Sequence, residues 1–444
     1  MALEYSDAKR ILLAKYLHGE LGARPAAREI PRRQPGEIVP LSYAQEQVWL
    51  HARLAPEIPL YNEPVTIHYS GPLNVKALEQ SFNEILRRHE AWRTYFTEID
   101  GRPVQEVKQS LSILLPLIDL RTLPREQRDV AAVAIGTADA RVPLDLAQAP
   151  LFRVRLICVD DEQYRLYLTL HHIIFDGVAI YRVFLPELAT LYKAYAAGRG
   201  SPLAELAVQY PDYACWQRRS LPREALSSDV EYWRELLSGT LPEIYLPTDR
   251  PHGRSQSFRG SMYPFQLDPT LTQAVREFGR DQGVSLFHTL LAGFAALLYR
   301  YSGEERIPIG SVTAGRNHPE TLPLLGYFLN TVVLPADLSG DPSFLTLVRR
   351  ARDLTIDVLD HDRVPFEHLV RELRVPRDPA RNPLFQALFS LEPPLPEVDP
   401  AWRLTQMDVD TGASKYDLYL ELDERSDHVL ARFHYNTDLF DAET

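Results

Sequence analysis

Seven residues, His171-His172-Ile173-Ile174-Phe175-Asp176-Gly177, bring two imidazoles, a carboxylate and a glycine together, and their setting decides what they can do. The run 163–171 before them alternates as a strand does, with successive side chains on opposite faces. Tyr164, Leu166, Leu168 and Leu170 then share a row with His172, while Arg165, Tyr167, Thr169 and His171 share the other. Adjacent histidines pointing in opposite directions cannot both bind one ion without distortion. No further His or Cys sits at ligand spacing, so a metal site is disfavoured. Phe175-Asp176-Gly177 reads as a tight turn into a helix over 178–195, with Gly177 permitting close backbone approach. A histidine at such a strand end, with an unperturbed pKa of about 6.5, can accept a proton near neutrality or orient a nucleophile. The bland reading stands beside it. A His-His pair at a strand end is more often structural than catalytic, and Asp176 could serve only to cap the helix.

The elements that must hold this segment belong to a chain of 444 residues, longer than the ~250–300 residues at which single cores stop growing, so two lobes are expected. With 45% apolar and 24% charged residues the composition is that of a globular protein, and a net charge of -12 has the wrong sign for gripping nucleic acid. Cys158 and Cys215, far apart and outside any CxxC spacing, write neither a disulfide framework nor a zinc site and fit a reducing, cytoplasmic setting. No signal peptide and no apolar run of membrane-spanning length is seen. The closing residues Asp441 to Thr444 follow a strand-like stretch and read as the edge of a segment cut from a longer chain.

Ser6 can cap a helix through Ile11 to Leu17, and Pro25, Pro31, Pro35 and Pro40 make residues 23–40 an irregular tether. Residues 1–40 therefore read as an appendage, with the compact fold starting near Leu41. Helix 74–88, strands 92–99, 151–158 and 163–171, and helix 178–195 follow, an alternation of α/β or α+β layers. The polar stretch 219–256, rich in Pro and Arg around a helix from Val230 to Leu237, divides a first lobe (41–220) from a second (221–444). In the second lobe Asp268-Pro269 and Ser285 start helices, strands are expected at 306–313, 327–334, 384–391, 416–422 and 429–435, and a helix at 343–359. Two such lobes would pack about a cleft, where ligands usually bind.

The pattern His171-His172-x-x-x-Asp176-Gly177 resembles the HHxxxDG signature of condensation domains from nonribosomal peptide synthetases, within the chloramphenicol acetyltransferase-like superfamily. Further stretches resemble that family's motifs in order over residues 40–444: LSYAQEQVW from Leu41, RHEAWRTYF from Arg88, YPDYACWQ from Tyr210, IGSVTAGR from Ile309 and LGYFLNT from Leu325. HDRVPFE from His361, followed by RNPLFQ from Arg381, resembles the last. The resemblance implies two chloramphenicol acetyltransferase-like lobes in a V-shaped pseudodimer with a central tunnel. His172 would face that tunnel, where an acceptor amine attacks a donor thioester, and His171 would support it from the opposite face. Asp176 would form a structural ion pair with an arginine, Arg88 being the best candidate. Gly177 could lend a backbone N–H to the thioester carbonyl, and Arg93, Trp216 and Asn330 fall on motif positions as supporting residues.

Upstream and downstream carrier proteins and an adenylation domain are the implied partners of an excised monomer. Their phosphopantetheine arms would enter the tunnel, and the domain itself would bind no cofactor. The intact histidine pair favours amide formation over cyclisation or oxygenase recruitment. Only His18 lies near the start, without the histidine-rich motif of epimerising relatives, so an L-configured or non-amino-acid donor is expected. Val178-Ala179-Ile180, where many relatives carry Trp-Ser, resembles members that follow polyketide modules. The rival readings are a coenzyme A-dependent acyltransferase and a silent docking platform for carrier proteins.

Overall fold

Helix Val75–Arg88 shows how sequence pattern becomes packing. Asn74 caps it by accepting from the Ala77 N–H at 3.0 Å, and Ala77, Leu78, Ser81, Phe82, Ile85 and Leu86 recur with helical period on its buried face. That face lies on helix Leu185–Ala196, with Phe82 5.5 Å from Phe184. The computed structural model describes residues 29–221, 226–239, 244–376, 378–394, 398–405 and 408–444. The helix expected between Ser6 and Leu17 lies outside them.

The strands of the first half are β1 (Val39–Pro40), β2 (Asn62–Ser70), β3 (Thr94–Ile99), β4 (Arg102–Val107), β5 (Leu117–Asp119), β6 (Phe152–Asp160) and β7 (Gln163–His171). Those of the second are β8 (Gly260–Leu267), β9 (Arg306–Thr313), β10 (Asn330–Asp337), β11 (Ala387–Glu392), β12 (Trp402–Thr405), β13 (Leu418–Glu424) and β14 (Val429–Asn436). Among the described residues they form a five-stranded sheet in the order β12-β2-β7-β6-β5, a six-stranded sheet β10-β9-β11-β13-β14-β8 and a small sheet β1-β4-β3. Helices Leu286–Ser302 and Phe344–Asp360, capped by Ser285 and Ser343, cover the six-stranded sheet. The architecture is the mixed α/β layering expected, and the described residues form one large apolar core in each half and a small third cluster around Tyr167 and Val409. Among the described residues no single helix is long and apolar enough to cross a membrane.

Two expected boundaries need correction. The division at 220/221 does not hold for every element, because β12 leaves the second half and adds an edge strand to the first, pairing Leu404 with Ile67. Leu324, Leu325, Phe328, Trp402 and Leu404 bury themselves in the first core. A four-residue edge strand has too little alternation to be seen in sequence, and its stability comes from a partner distant in the chain. The tether also packs from residue 30 onward. Ile30 is buried in the first core, Arg33 pairs with Glu90 and Asp212, and β1 pairs with β4. The prolines leave room for only the two-residue β1 there, without forbidding burial.

Candidate active site

β7 delivers the histidines and then stops. The His171 N–H donates to Leu151 O at 2.9 Å and the His172 N–H to Tyr61 O at 2.8 Å, after which His172–Ile174 coils into a 3₁₀ turn closed by the Phe175 N–H on His172 O. His172 is thus presented by this turn, beyond the last residue of the strand. His171 is buried, its Nδ1 accepting from the Ile173 N–H at 3.3 Å, and it lines a cavity of about 640 Å³ with Trp49 and Phe96. His172 lines a different cavity, of about 120 Å³, with Glu63, Tyr327 and Lys415. The two imidazoles do diverge, as alternation implied, and cannot share one ion.

The hydrogen bond at Nδ1 fixes the chemistry of His172. Its partner, Phe175 O at 3.1 Å, can only accept, so Nδ1 carries the proton and Nε2 keeps its lone pair. The ring is stacked 5.0 Å from Phe175 and lies 5.2 Å from Tyr327, which holds its plane. Burial keeps the His172 pKa below the ordinary histidine range, with the Glu63 carboxylate, 3.6 Å from Nε2, pulling the other way. The neutral imidazole therefore prevails near neutrality. Burial pushes His171 further down, to about 3, with the charges of His172 and Lys415 adding to it, so it stays neutral.

Asp176 is fully buried and ion-paired, as expected, but its partner is not Arg88. Arg316 Nη2 lies 3.0 Å from Asp176 Oδ1 and 3.2 Å from Oδ2, and Asp176 also accepts from the Ala179 and Phe328 N–H groups. Arg316 Nη1 donates to Thr321 O and Leu324 O, and its guanidinium lies 4.1 Å over the Phe328 ring. This pair ties the turn after β7 to the loop that carries Tyr327. Arg88 instead donates to Glu187 and to Ala204 O, fastening helix Val75–Arg88 to helix Leu185–Ala196. Its place on the helix face over Leu185–Ala196 aims it at a carboxylate of that neighbour.

Gly177 opens a short helical turn, Gly177–Ala179, that continues through a π-helical turn, Ile180–Phe184, into Leu185–Ala196. It lines both the His172 cavity and a larger one of about 710 Å³, as do Val312, Leu329 and Glu392. A Cβ on Gly177 would meet Glu392 Oε2 at 2.4 Å. Gly177→Ala is therefore expected to displace Glu392 and narrow the junction of the two cavities. Shifting groups at a reaction site by about 1 Å can cost about 10²-fold, so turnover should fall by that order while circular dichroism is unchanged. Product formation at the wild-type rate would show that the junction is not on the reaction path.

The remaining motif residues lie off the two cavities. Arg93 donates to Lys108 O and Gln109 O and sits 3.7 Å from Glu90, stitching its turn to the end of β4. Trp216 packs against Tyr213 and His318. Asn330 donates to Asp362 O and Val364 O and accepts from the Phe366 N–H, clipping that segment to β10. Glu63, Lys415, Glu392 and Tyr327 line the site but were not singled out from sequence. Only Tyr327 had a signal, its place in the LGYFLNT motif.

Comparison with known proteins bears on the family and the fold. A family model described as "Condensation domain" matches residues 36–444. One of the linear gramicidin synthase proteins of Brevibacillus parabrevis is 41% identical over 406 residues, which is 90% of this chain and 8% of that much longer protein. The X-domain from teicoplanin biosynthesis superposes with a TM-score of 0.79 at 27% identity, covering 94% of this chain and 93% of that one. The first condensation domain of the calcium-dependent antibiotic synthetase, solved with a substrate analogue, gives a TM-score of 0.81 at 22% identity over 92% and 93% of the two chains, a likeness of fold. Such domains have the chloramphenicol acetyltransferase-like fold. The chain accordingly belongs to the condensation-domain family, the amide-bond-forming acyltransferases of nonribosomal peptide synthesis.

Proposed function

We propose that this domain joins an acyl or peptidyl group, held as a thioester on one carrier protein, to the amine of an aminoacyl group on a second. The observation that carries the reading is His172 Nε2, with its lone pair unprotonated, in a cavity that meets a larger one at Gly177 and Glu392. Two substrates entering from different sides would meet there. An α-amine has a pKa of about 8, so part of it is neutral at pH 7. His172 orients that amine, takes its proton as the C–N bond forms and passes it to the departing sulfur. Orientation contributes more of the rate than proton abstraction. The Gly177 N–H, in a first helical turn where amides lack intrahelical partners, is a donor for the thioester oxygen as it gains charge.

The carriers bring their own phosphopantetheine arms, and the domain acts as a monomer between an upstream and a downstream carrier beside an adenylation domain. The donor is an L-configured or polyketide-type acyl group. The test loads two phosphopantetheinylated carriers with a panel of acyl and aminoacyl thioesters and follows the acceptor carrier by mass spectrometry. Amide on the acceptor carrier is expected, with acyl-coenzyme A a poor substitute for the loaded donor. Equal rates from acyl-coenzyme A would favour a free-standing acyltransferase, and no product across the panel would favour a docking role.

A further inference from the structure

Glu63 stands on β2 opposite Leu170 of β7, one residue pair from His171, and the pairing of these strands puts its carboxylate in the His172 cavity. Its Oε1 is 3.6 Å from His172 Nε2 and 3.8 Å from Lys415 Nζ. Lys415 reaches in from the segment before β13, its ammonium 4.1 Å over the Tyr61 ring, which holds it beside Glu63. An amine that hydrogen-bonds to Nε2 must sit within about 3 Å of it, and so lies beside this carboxylate as well.

The chemistry proposed above passes a positive charge through this space. As a neutral amine attacks the thioester carbon, its nitrogen becomes cationic. The proton then moves to Nε2, making an imidazolium, and from there to the sulfur that keeps the electron pair of the broken C–S bond. Substrate and product are uncharged at these atoms, and only the intervening states are cationic. From this geometry, and resting on that reading, we infer that Glu63 is the counter-charge of the reaction, stabilising the positive charge as it passes from the attacking nitrogen to His172. An interaction absent from the ground state and made in the transition state raises turnover.

The other charged and titratable groups around the pair act on the same balance. His171 and Asp176 flank His172 on its own segment, Lys415 opposes protonation of His172, and Glu392 of β11, Arg432 of β14 and Tyr327 face Glu63. Removing Glu63 should therefore lower the His172 pKa, and removing Lys415 should raise it. A residue needed only for folding would not give shifts of opposite sign.

The test combines Glu63→Gln and Lys415→Met in the full chain with the titration of His172 followed by nuclear magnetic resonance, assigned through His172→Gln. Opposite shifts are expected, together with a fall of kcat in Glu63→Gln of about 10²-fold and a KM within a few-fold of wild type. An unmoved His172 pKa in both variants, or an unchanged kcat in Glu63→Gln with wild type active, would overturn the inference. If wild type itself makes no amide from loaded carriers, the functional reading fails, and the titration still reports whether the two side chains are coupled.

Discussion

His172→Ala is expected to lower amide formation by about 10²- to 10⁴-fold, the range a positioned acid–base side chain contributes. On the proposed reading the loss should fall on kcat with KM little changed, since the carriers would hold the substrates while the imidazole acts as the bond forms. The fold should survive. The backbone bonds of residue 172 run to Tyr61 and Phe175 and do not involve the ring, and the side chain already faces a cavity. Burial holds the His172 pKa low and so keeps its lone pair available below pH 7, whereas the amine loses reactivity as it protonates. Between pH 6 and 8 the wild-type rate should accordingly rise with the amine's titration, and His172→Ala should keep that slope at a lower level. Single-turnover assays with preloaded carriers measure both. Wild-type rates in this variant would remove His172 from the chemistry.

What could be read from the sequence was what local pattern determines. The strand 163–171 came from its period of 2, the divergence of His171 and His172 from the same alternation, and helix Val75–Arg88 from its cap and its 3.6-residue stripe. β2 was missed because Glu63, Pro64 and His68 break its apolar run. Among the described residues β12 pairs with β2 from Tyr69 to Thr66. The site itself resisted reading wherever its parts come from distant segments. Glu63, Lys415 and Glu392 come from β2, the approach to β13 and β11, and nothing in a single sequence says that these meet at His172. The partner of Asp176 failed for the same reason. A buried carboxylate demands a cation, but the chain holds 48 lysines and arginines, and the demand does not choose among them. Arg316 ends the IGSVTAGR motif, so the motif marked its position without disclosing its role.

Asp176→Asn should be the more destructive change to the protein, and its failure should differ in kind from that of His172→Ala. The substitution leaves the shape of the site and removes its charge, so Arg316, itself buried, keeps a guanidinium with no anion against it. Breaking one side of a buried pair costs about 3 to 5 kcal/mol, most of it the penalty of the charge left behind. Urea denaturation should show a loss of that order. Asp176 also accepts from the Phe328 N–H, and Arg316 packs on the Phe328 ring, so the same change loosens the loop that sets Tyr327 against His172. Turnover should fall along with stability. The double variant Asp176→Leu with Arg316→Met separates the two causes. Removing both charges takes away the uncompensated ion, and most of the stability lost in Asp176→Asn should return, because an apolar pair of similar volume can replace a buried ion pair at little cost. Activity should not return, since neither side chain then fixes the Phe328 N–H. A stable and inactive Asp176→Asn single variant would instead mean that the carboxylate acts in the chemistry itself, and a double variant as unstable as the single would mean that the hydrogen bonds to Ala179 and Phe328, and not the charge pair, hold the turn.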